Sequence, residues 1–274
     1  MIIFKNLDLF FSTMNSIKLF LAISFFLILG VFSSCNVEKN GIVAHRGAWK
    51  TNNLPENSIA ALRHAIDLKV AGSEFDVVMT ADDSLVINHD PHYNKLVVEE
   101  TKYADLIKFK LSNGEKLPTL HEYILEGKKN NNHTILVCEI KPSRISTERG
   151  KKIGLKAVEI VKKLKAEKMT CYISFDYEIL KQIRQVDSKT VLQYLEGNKS
   201  PKEVKTDNIS GIDYHYSVFK KHPEWIKEAK ENNIILNAWT VNETADMDWI
   251  IDHKFNYITT NEPELLKERI IKKK

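Results

Sequence analysis

Beyond residue 40 the chain alternates between short apolar runs and amphipathic stretches, and this alternation limits its fold more than any other feature. Apolar runs of strand length lie at 42–45, 73–77, 134–140, 171–175, 191–195, 211–216, 234–241 and 257–260. Helical spacing of apolar residues predicts helices over 57–70, 119–126, 149–165, 177–185, near Pro201, and over 222–231, 243–251 and 262–271. The first of these carries Ile59, Leu62, Ile66 and Leu68 near one face, with Asn57 in the N-cap position. A further short run at 84–88 follows too closely on 73–77 to be a repeat of its own, and residues 91–118 read as polar and irregular. Together they form a small insertion after the second strand. Strand–helix alternation implies parallel strands joined by right-handed crossovers. Eight repeats over about 230 residues fit an α/β fold of the closed (β/α)8 TIM barrel type, usually about 250 residues long. The rival, an open doubly wound sheet, calls for a glycine-rich turn after its first strand. Here that strand ends in His45-Arg46-Gly47.

In a barrel, chemistry collects at the carboxyl ends of the strands, and several strands here end in polar residues. Glu74 and Asp76 are two apart and share a strand face. Adjacent carboxylates repel unless a cation lies between them, and Glu139 on the next strand supplies a third. Oxygen ligands alone favour one hard divalent cation, Mg²⁺ or Ca²⁺; the competing reading is a set of ordinary ion pairs, such as Glu139 with Lys141. Arg46 and Lys141 bring fixed positive charge suited to phosphate. His45 and His89, also at strand ends, can exchange protons near neutral pH. The other histidines, His64, His92, His121, His133, His215, His222 and His253, read as surface or loop residues. With no G-x-S-x-G elbow and no P-loop, the pattern describes acid–base displacement at phosphorus beside a metal.

The 40 lysines and arginines against 36 acids leave a formal charge of +4, spread without a basic block, so nucleic acid is not an expected partner. The amino terminus reads as an export signal. An apolar run at 19–32 follows Lys18 and is shorter than the roughly 20 residues of a spanning helix. It ends in Val-Phe-Ser-Ser-Cys, which resembles a bacterial lipoprotein cleavage box with Cys35 as the lipidated residue. Residues 1–35 are therefore expected to be a signal peptide, 36–40 a polar tether and 41–274 the barrel. That makes the protein an exported lipoprotein, anchored to a membrane of a bacterial cell envelope. The alternatives are an ordinary cleaved signal or an uncleaved anchor. The remaining Cys138 and Cys171 fall in apolar runs and are expected to be buried thiols.

The motifs resemble, in order, those of the glycerophosphodiester phosphodiesterase family. They are His45-Arg46-Gly47, Pro55-Glu56-Asn57-Ser58, Glu74-x-Asp76-Val77 with Thr80 and Asp82, His89-Asp90, Leu117-Pro118-Thr119-Leu120, Glu139-x-Lys141, Ser174-Phe175 and Trp239-Thr240-Val241-Asn242. The resemblance implies hydrolysis of glycerophosphodiesters to glycerol 3-phosphate and an alcohol. It implies His45 and His89 as the acid/base pair, Glu74, Asp76 and Glu139 on the metal, and Arg46, Lys141, Glu56 and Trp239 about the substrate. In this family, attack by the neighbouring glycerol hydroxyl is often invoked, giving a cyclic phosphate that water opens. One departure is Asn261, where relatives often carry Asp; its expected effect is on a helix cap. Two other readings compete: a phospholipase C- or D-like lyase acting on lipid phosphodiesters, and a lipoprotein that binds phosphodiesters without turnover.

Overall fold

The computed structural model describes residues 41–273. The signal, the Cys35 cleavage box and the tether expected over 1–40 lie outside the described residues. In chain order the elements are β1 (Gly41–Ala44), α1 (Ile59–Asp67), β2 (Gly72–Met79), β3 (Leu85–Ile87), β4 (His92–Tyr93), β5 (Leu96–Val97), α2 (Tyr103–Leu106), α3 (Leu120–Lys128), β6 (Ile135–Ile140), α4 (Thr147–Lys163), β7 (Thr170–Ser174) and α5 (Tyr177–Val186). They continue as β8 (Leu192–Tyr194), α6 (Pro201–Thr206), β9 (Gly211–His215), α7 (Tyr216–Lys221), α8 (Glu224–Glu231), β10 (Ile235–Trp239), α9 (Thr244–Asp252), β11 (Tyr257–Thr260) and α10 (Pro263–Lys272).

The main sheet has nine strands in the order β1-β11-β10-β9-β8-β7-β6-β2-β3, with β1 also paired to β2. Only β3 runs antiparallel, on β2; the other eight are parallel and close on themselves, which is the expected (β/α)8 barrel. Strands covered on both sides must be apolar on both sides, and two layers of packing result. Outside, Ala44, Phe75, Val77, Leu136, Ile212, Tyr214, Leu236 and Ile258 meet the helices. Inside, Val43, Val137, Cys171, Ile173 and Leu195 fill the barrel. Cys138 and Cys171 are both buried free thiols.

Two local readings need correction. Ser58, not Asn57, caps α1: its side chain accepts from Ala61 N at 3.0 Å, while Asn57 sits in a left-handed conformation at φ 59°. The stretch 91–118 is not irregular. It holds the β4–β5 hairpin, a 3₁₀ turn at Val98–Glu100 and α2. Its Tyr93, Val98, Leu106 and Leu117 bury against Val78 and Val86 in a small core of their own. These elements are two to four residues long and bury against β2 and β3 rather than on a repeated face of their own, so no local period marks them. The insertion therefore has fixed walls, and it stands beside the carboxyl ends of β2 and β6.

Candidate active site

At the end of β1 the backbone turns sharply. Arg46 and Gly47 both adopt left-handed conformations, φ 57° and 83°. For Gly47 no other residue would fit, because a Cβ there would lie 2.7 Å from that of Ala61 on α1. For Arg46 the conformation is strained, and contacts on both sides hold it. Its N–H donates to Glu74 Oε2 at 2.8 Å, and its carbonyl accepts from Asn57 N at 2.9 Å. The turn therefore orients Arg46 and one metal-type carboxylate together.

Glu74 and Asp76 on β2 and Glu139 on β6 are all buried, and one oxygen from each lies within 4.8 Å of the others. Asp76 stays charged: burial opposes ionisation, but Lys141 and Arg46, with Nζ 3.3 Å and Nε 3.6 Å away, and a hydrogen bond from Asn57 hold its carboxyl below the usual range. Glu139 is pushed up to about 7, and Glu74 well above the usual range, by burial and by their acidic neighbours. Lys141 lies 2.8 Å from Glu139 Oε1. Glu74 Oε1 has no hydrogen-bond partner. Three converging carboxylates, two of them forced towards protonation and one with an unfilled oxygen, fit a divalent cation, which would lower all three pKa values at once.

His45 lies beside this cluster, with Nε2 4.0 Å from Glu74 Oε2. Burial first, and Arg46 second, lower its pKa to about 4, so the ring is neutral near pH 7. Its Nδ1 lies 2.7 Å from Asn261 Oδ1 at the end of β11. Asn261 is thus not the helix cap expected from the sequence. It fixes the tautomer in which Nδ1–H donates to the amide oxygen and Nε2 carries the lone pair. His89 follows β3, is more exposed, and holds Nδ1 2.8 Å from Asp90 Oδ1.

These residues surround one mouth. An inner cavity of about 100 Å³ is lined by His45, Arg46, Glu74, His89, Glu139 and Lys141 on one side, and by Ile173, Phe175, Leu195, Asp213, Trp239, Thr240 and Thr259 on the other. An outer cavity of about 160 Å³ shares His89 and Lys141 and is walled by the insertion's Pro91, Val98 and Glu99, with Pro142 and Arg144 opposite. Trp239 donates from Nε1 to Asp213 O at 2.8 Å and meets Phe175 edge-on at 5.5 Å. Glu56 does not line either cavity; its carboxylate receives Arg46 Nη1 at 2.6 Å.

The model of the glycerophosphoryl diester phosphodiesterase family matches residues 45–265. A glycerophosphodiester phosphodiesterase of Caldanaerobacter subterraneus subsp. tengcongensis is 32% identical over 243 residues, covering 83% of this chain and 96% of that one. This chain belongs to the glycerophosphoryl diester phosphodiesterase family. It is a family of phosphoric diester hydrolases. A glycerophosphodiester phosphodiesterase from Parabacteroides distasonis, known from its crystal structure, is 38% identical with a TM-score of 0.83, over 86% of this chain and 99% of that one. The fold is shared more distantly with an Oleispira antarctica phosphodiesterase solved in complex with the product sn-glycerol-3-phosphate, at 20% identity and a TM-score of 0.73, over 85% of this chain and 97% of that one.

Within this family frame the structure brings together eight of the sequence candidates, His45, Arg46, Glu74, Asp76, His89, Glu139, Lys141 and Trp239, with Glu56 behind Arg46. Cys35 lies outside the described residues. Four further residues went unread as site residues. Asn57 clamps Asp76 through two hydrogen bonds, Nδ2 to Oδ2 at 2.8 Å and Asp76 N to Oδ1 at 3.1 Å. Asn261 holds His45. Asp213 lies in the cavity wall. His215, expected on the surface or in a loop, ends β9 and packs edge-on against Trp239 at 5.3 Å. The signal for Asp213 and His215 was available, since both lie on a barrel strand near its carboxyl end.

Proposed function

We propose that the protein hydrolyses glycerophosphodiesters to glycerol 3-phosphate and an alcohol, with one divalent cation and with His45 and His89 as the proton carriers. The observation that carries this reading is a single cavity bounded by a neutral histidine, a second histidine, two fixed cations and Glu74 and Glu139, whose carboxylates converge with that of buried Asp76. Glu74, Asp76 and Glu139 would hold Mg²⁺ or Ca²⁺, which when bound supplies positive charge to phosphoryl oxygens. Arg46 and Lys141 orient the phosphate, and Glu56 steadies Arg46. His45 is the base: its free Nε2 takes the proton of the glycerol 2-hydroxyl as that oxygen bonds to phosphorus. His89 is the acid. Its proton goes to the departing alcohol oxygen as the second phosphorus–oxygen bond breaks. The roles reverse when water opens the cyclic phosphate, giving glycerol 3-phosphate.

Phosphorus NMR of reactions with a panel of glycerophosphodiesters, each with Mg²⁺ and with Ca²⁺, tests the reading. Free glycerol 3-phosphate is expected. A cyclic phosphate as final product would point to the lyase chemistry, and no turnover with any pair would leave a binding protein. We further propose that the protein is exported and anchored to a bacterial envelope membrane through lipid on Cys35. Labelling with a radioactive fatty acid tests this: the label should vanish in Cys35→Ser.

A further inference from the structure

One polar group in the cavity has no role in the scheme above. Asp213 is 1% exposed, and its Oδ1 has no hydrogen-bond partner. Its neighbours Ile212 and Tyr214 belong to the outer hydrophobic layer, so the strand period of two turns Asp213 towards the barrel interior. There it lines the inner cavity. The cation cluster does not include it: the ligand atoms that converge are those of Glu74, Asp76 and Glu139. Burial, the nearby Glu139 and a hydrogen bond from Asn237 act on its ionisation, with no cation among them, and the net effect is well upward. A carboxyl oxygen can accept a hydrogen bond from a hydroxyl in either ionisation state. An unfilled polar atom facing a cavity is the kind of group that a ligand completes.

We propose that Asp213 is a specificity residue whose free oxygen receives the terminal hydroxyl of the substrate's glycerol half. The proposal rests on the phosphodiesterase reading. In that reading the glycerol half must sit beside His45, which takes a proton from it, and His45 lines only the inner cavity. The departing alcohol must sit beside His89, which lines both cavities, so it extends into the outer one. The inner cavity, about 100 Å³, is of a size for a three-carbon polyol. Opposite the charged residues its wall carries the apolar Ile173, Leu195, Phe175 and Trp239 together with the hydroxyls of Thr240 and Thr259, and Asp213 is the acid in that wall. A glycerol carbon chain laid on those side chains has one hydroxyl left to satisfy after the phosphate ester and the attacking hydroxyl are accounted for.

Calorimetric titration of the full chain tests this, with Mg²⁺ present and again with Ca²⁺. The probes are glycerol 3-phosphate, propane-1,2-diol 1-phosphate (which lacks only the terminal hydroxyl) and inorganic phosphate. The unsubstituted protein should prefer glycerol 3-phosphate to the diol phosphate by about tenfold to hundredfold, because the analogue leaves a buried polar atom without its hydrogen bond. Asp213→Leu should lower affinity for glycerol 3-phosphate to that of the diol phosphate and leave the other two probes unchanged. Asp213→Asn, nearly isosteric, should keep part of the preference and the melting temperature. Equal binding of the two esters by the unsubstituted protein overturns the proposal, as does a preference that survives in Asp213→Leu. Equal weakening for all three probes in Asp213→Asn also overturns it, since that marks a structural role. Failure of the unsubstituted protein to bind any of the three sinks the phosphodiesterase reading as well; binding without discrimination sinks this inference alone.

Discussion

The two sides of the barrel mouth are built from different materials. On β1, β2 and β6, with the loop after β3, stand His45, Arg46, Glu74, Asp76, His89, Glu139 and Lys141. On β7, β8 and β10 stand Ile173, Phe175, Leu195 and Trp239, with Asp213 from β9. The charged side is contiguous, since β1 pairs with β2 and β2 with β6. The largely apolar arc facing it offers few partners to water, and low local polarity strengthens interactions on the charged side. The difference teaches that charge need not be spread around a barrel to make a site. Three neighbouring strands and the loop after β3 carry nearly all of it here.

That division makes chemistry the work of one side and fit the work of the other, and experiments can break it. Removing the cation should have the largest effect. A chelator is expected to abolish turnover of glycerophosphocholine, and added Mg²⁺ or Ca²⁺ to restore it. Next, His45→Ala and His89→Ala should each lower kcat by about 10²–10⁴-fold, measured in the steady state. Turnover that survives both changes would dissolve the assignment of chemistry to the charged side. On the apolar side, Trp239→Leu is expected to raise KM several-fold, on the order of 1 kcal/mol of uniform binding, with kcat nearly unchanged. If kcat falls as far as in the histidine variants, the two sides are not distinct.

The charged side also has a pH signature. The folded pKa of His45 is lowered from 6.5 to about 4, so its base form persists well into acid and the acidic limb of kcat/KM should lie near pH 4. Asn261→Asp would place a carboxylate on Nδ1–H, favouring the charged ring, and should move that limb upward by about one unit or more. Stability moves in two directions. A histidine with a lowered folded pKa destabilises the protein as pH falls from 6.5 through about 4, because the unfolded chain then binds more protons. Glu139, raised from 4.5 to about 7, has the opposite sign: its contribution is full below 4.5 and is lost as pH rises through 7. Without metal the melting temperature should therefore drop from pH 6 to pH 8. A divalent cation, which favours the charged carboxylates, should raise it more at pH 8 than at pH 5.

The insertion shows where local reading stops. The strands and helices of the barrel were legible because each buries an apolar face at its own period, a property of three to seventeen consecutive residues. Glu74-x-Asp76 and Glu139-x-Lys141 were legible for the same reason: a spacing of two places side chains on one strand face. The 91–118 core was not legible, because Tyr93, Val98, Leu106 and Leu117 find partners in β2 and β3 rather than in one another's local pattern.

The sequence by itself determined the barrel, its eight strand–helix repeats and the residue types at its carboxyl rim, all consequences of short-range periodicity. Tertiary structure alone decided what those residues are in chemical terms. Closing β11 onto β1 brings Asn261 to His45 across 216 positions and selects the ring nitrogen left free. Turning Asn57 out of the cap position clamps Asp76. Enclosure in the barrel makes His45 a neutral base and leaves Asp213 with an unfilled oxygen. Protonation and hydrogen-bond satisfaction depend on everything within a few ångströms, and most of what lies that close to these residues is far away along the chain.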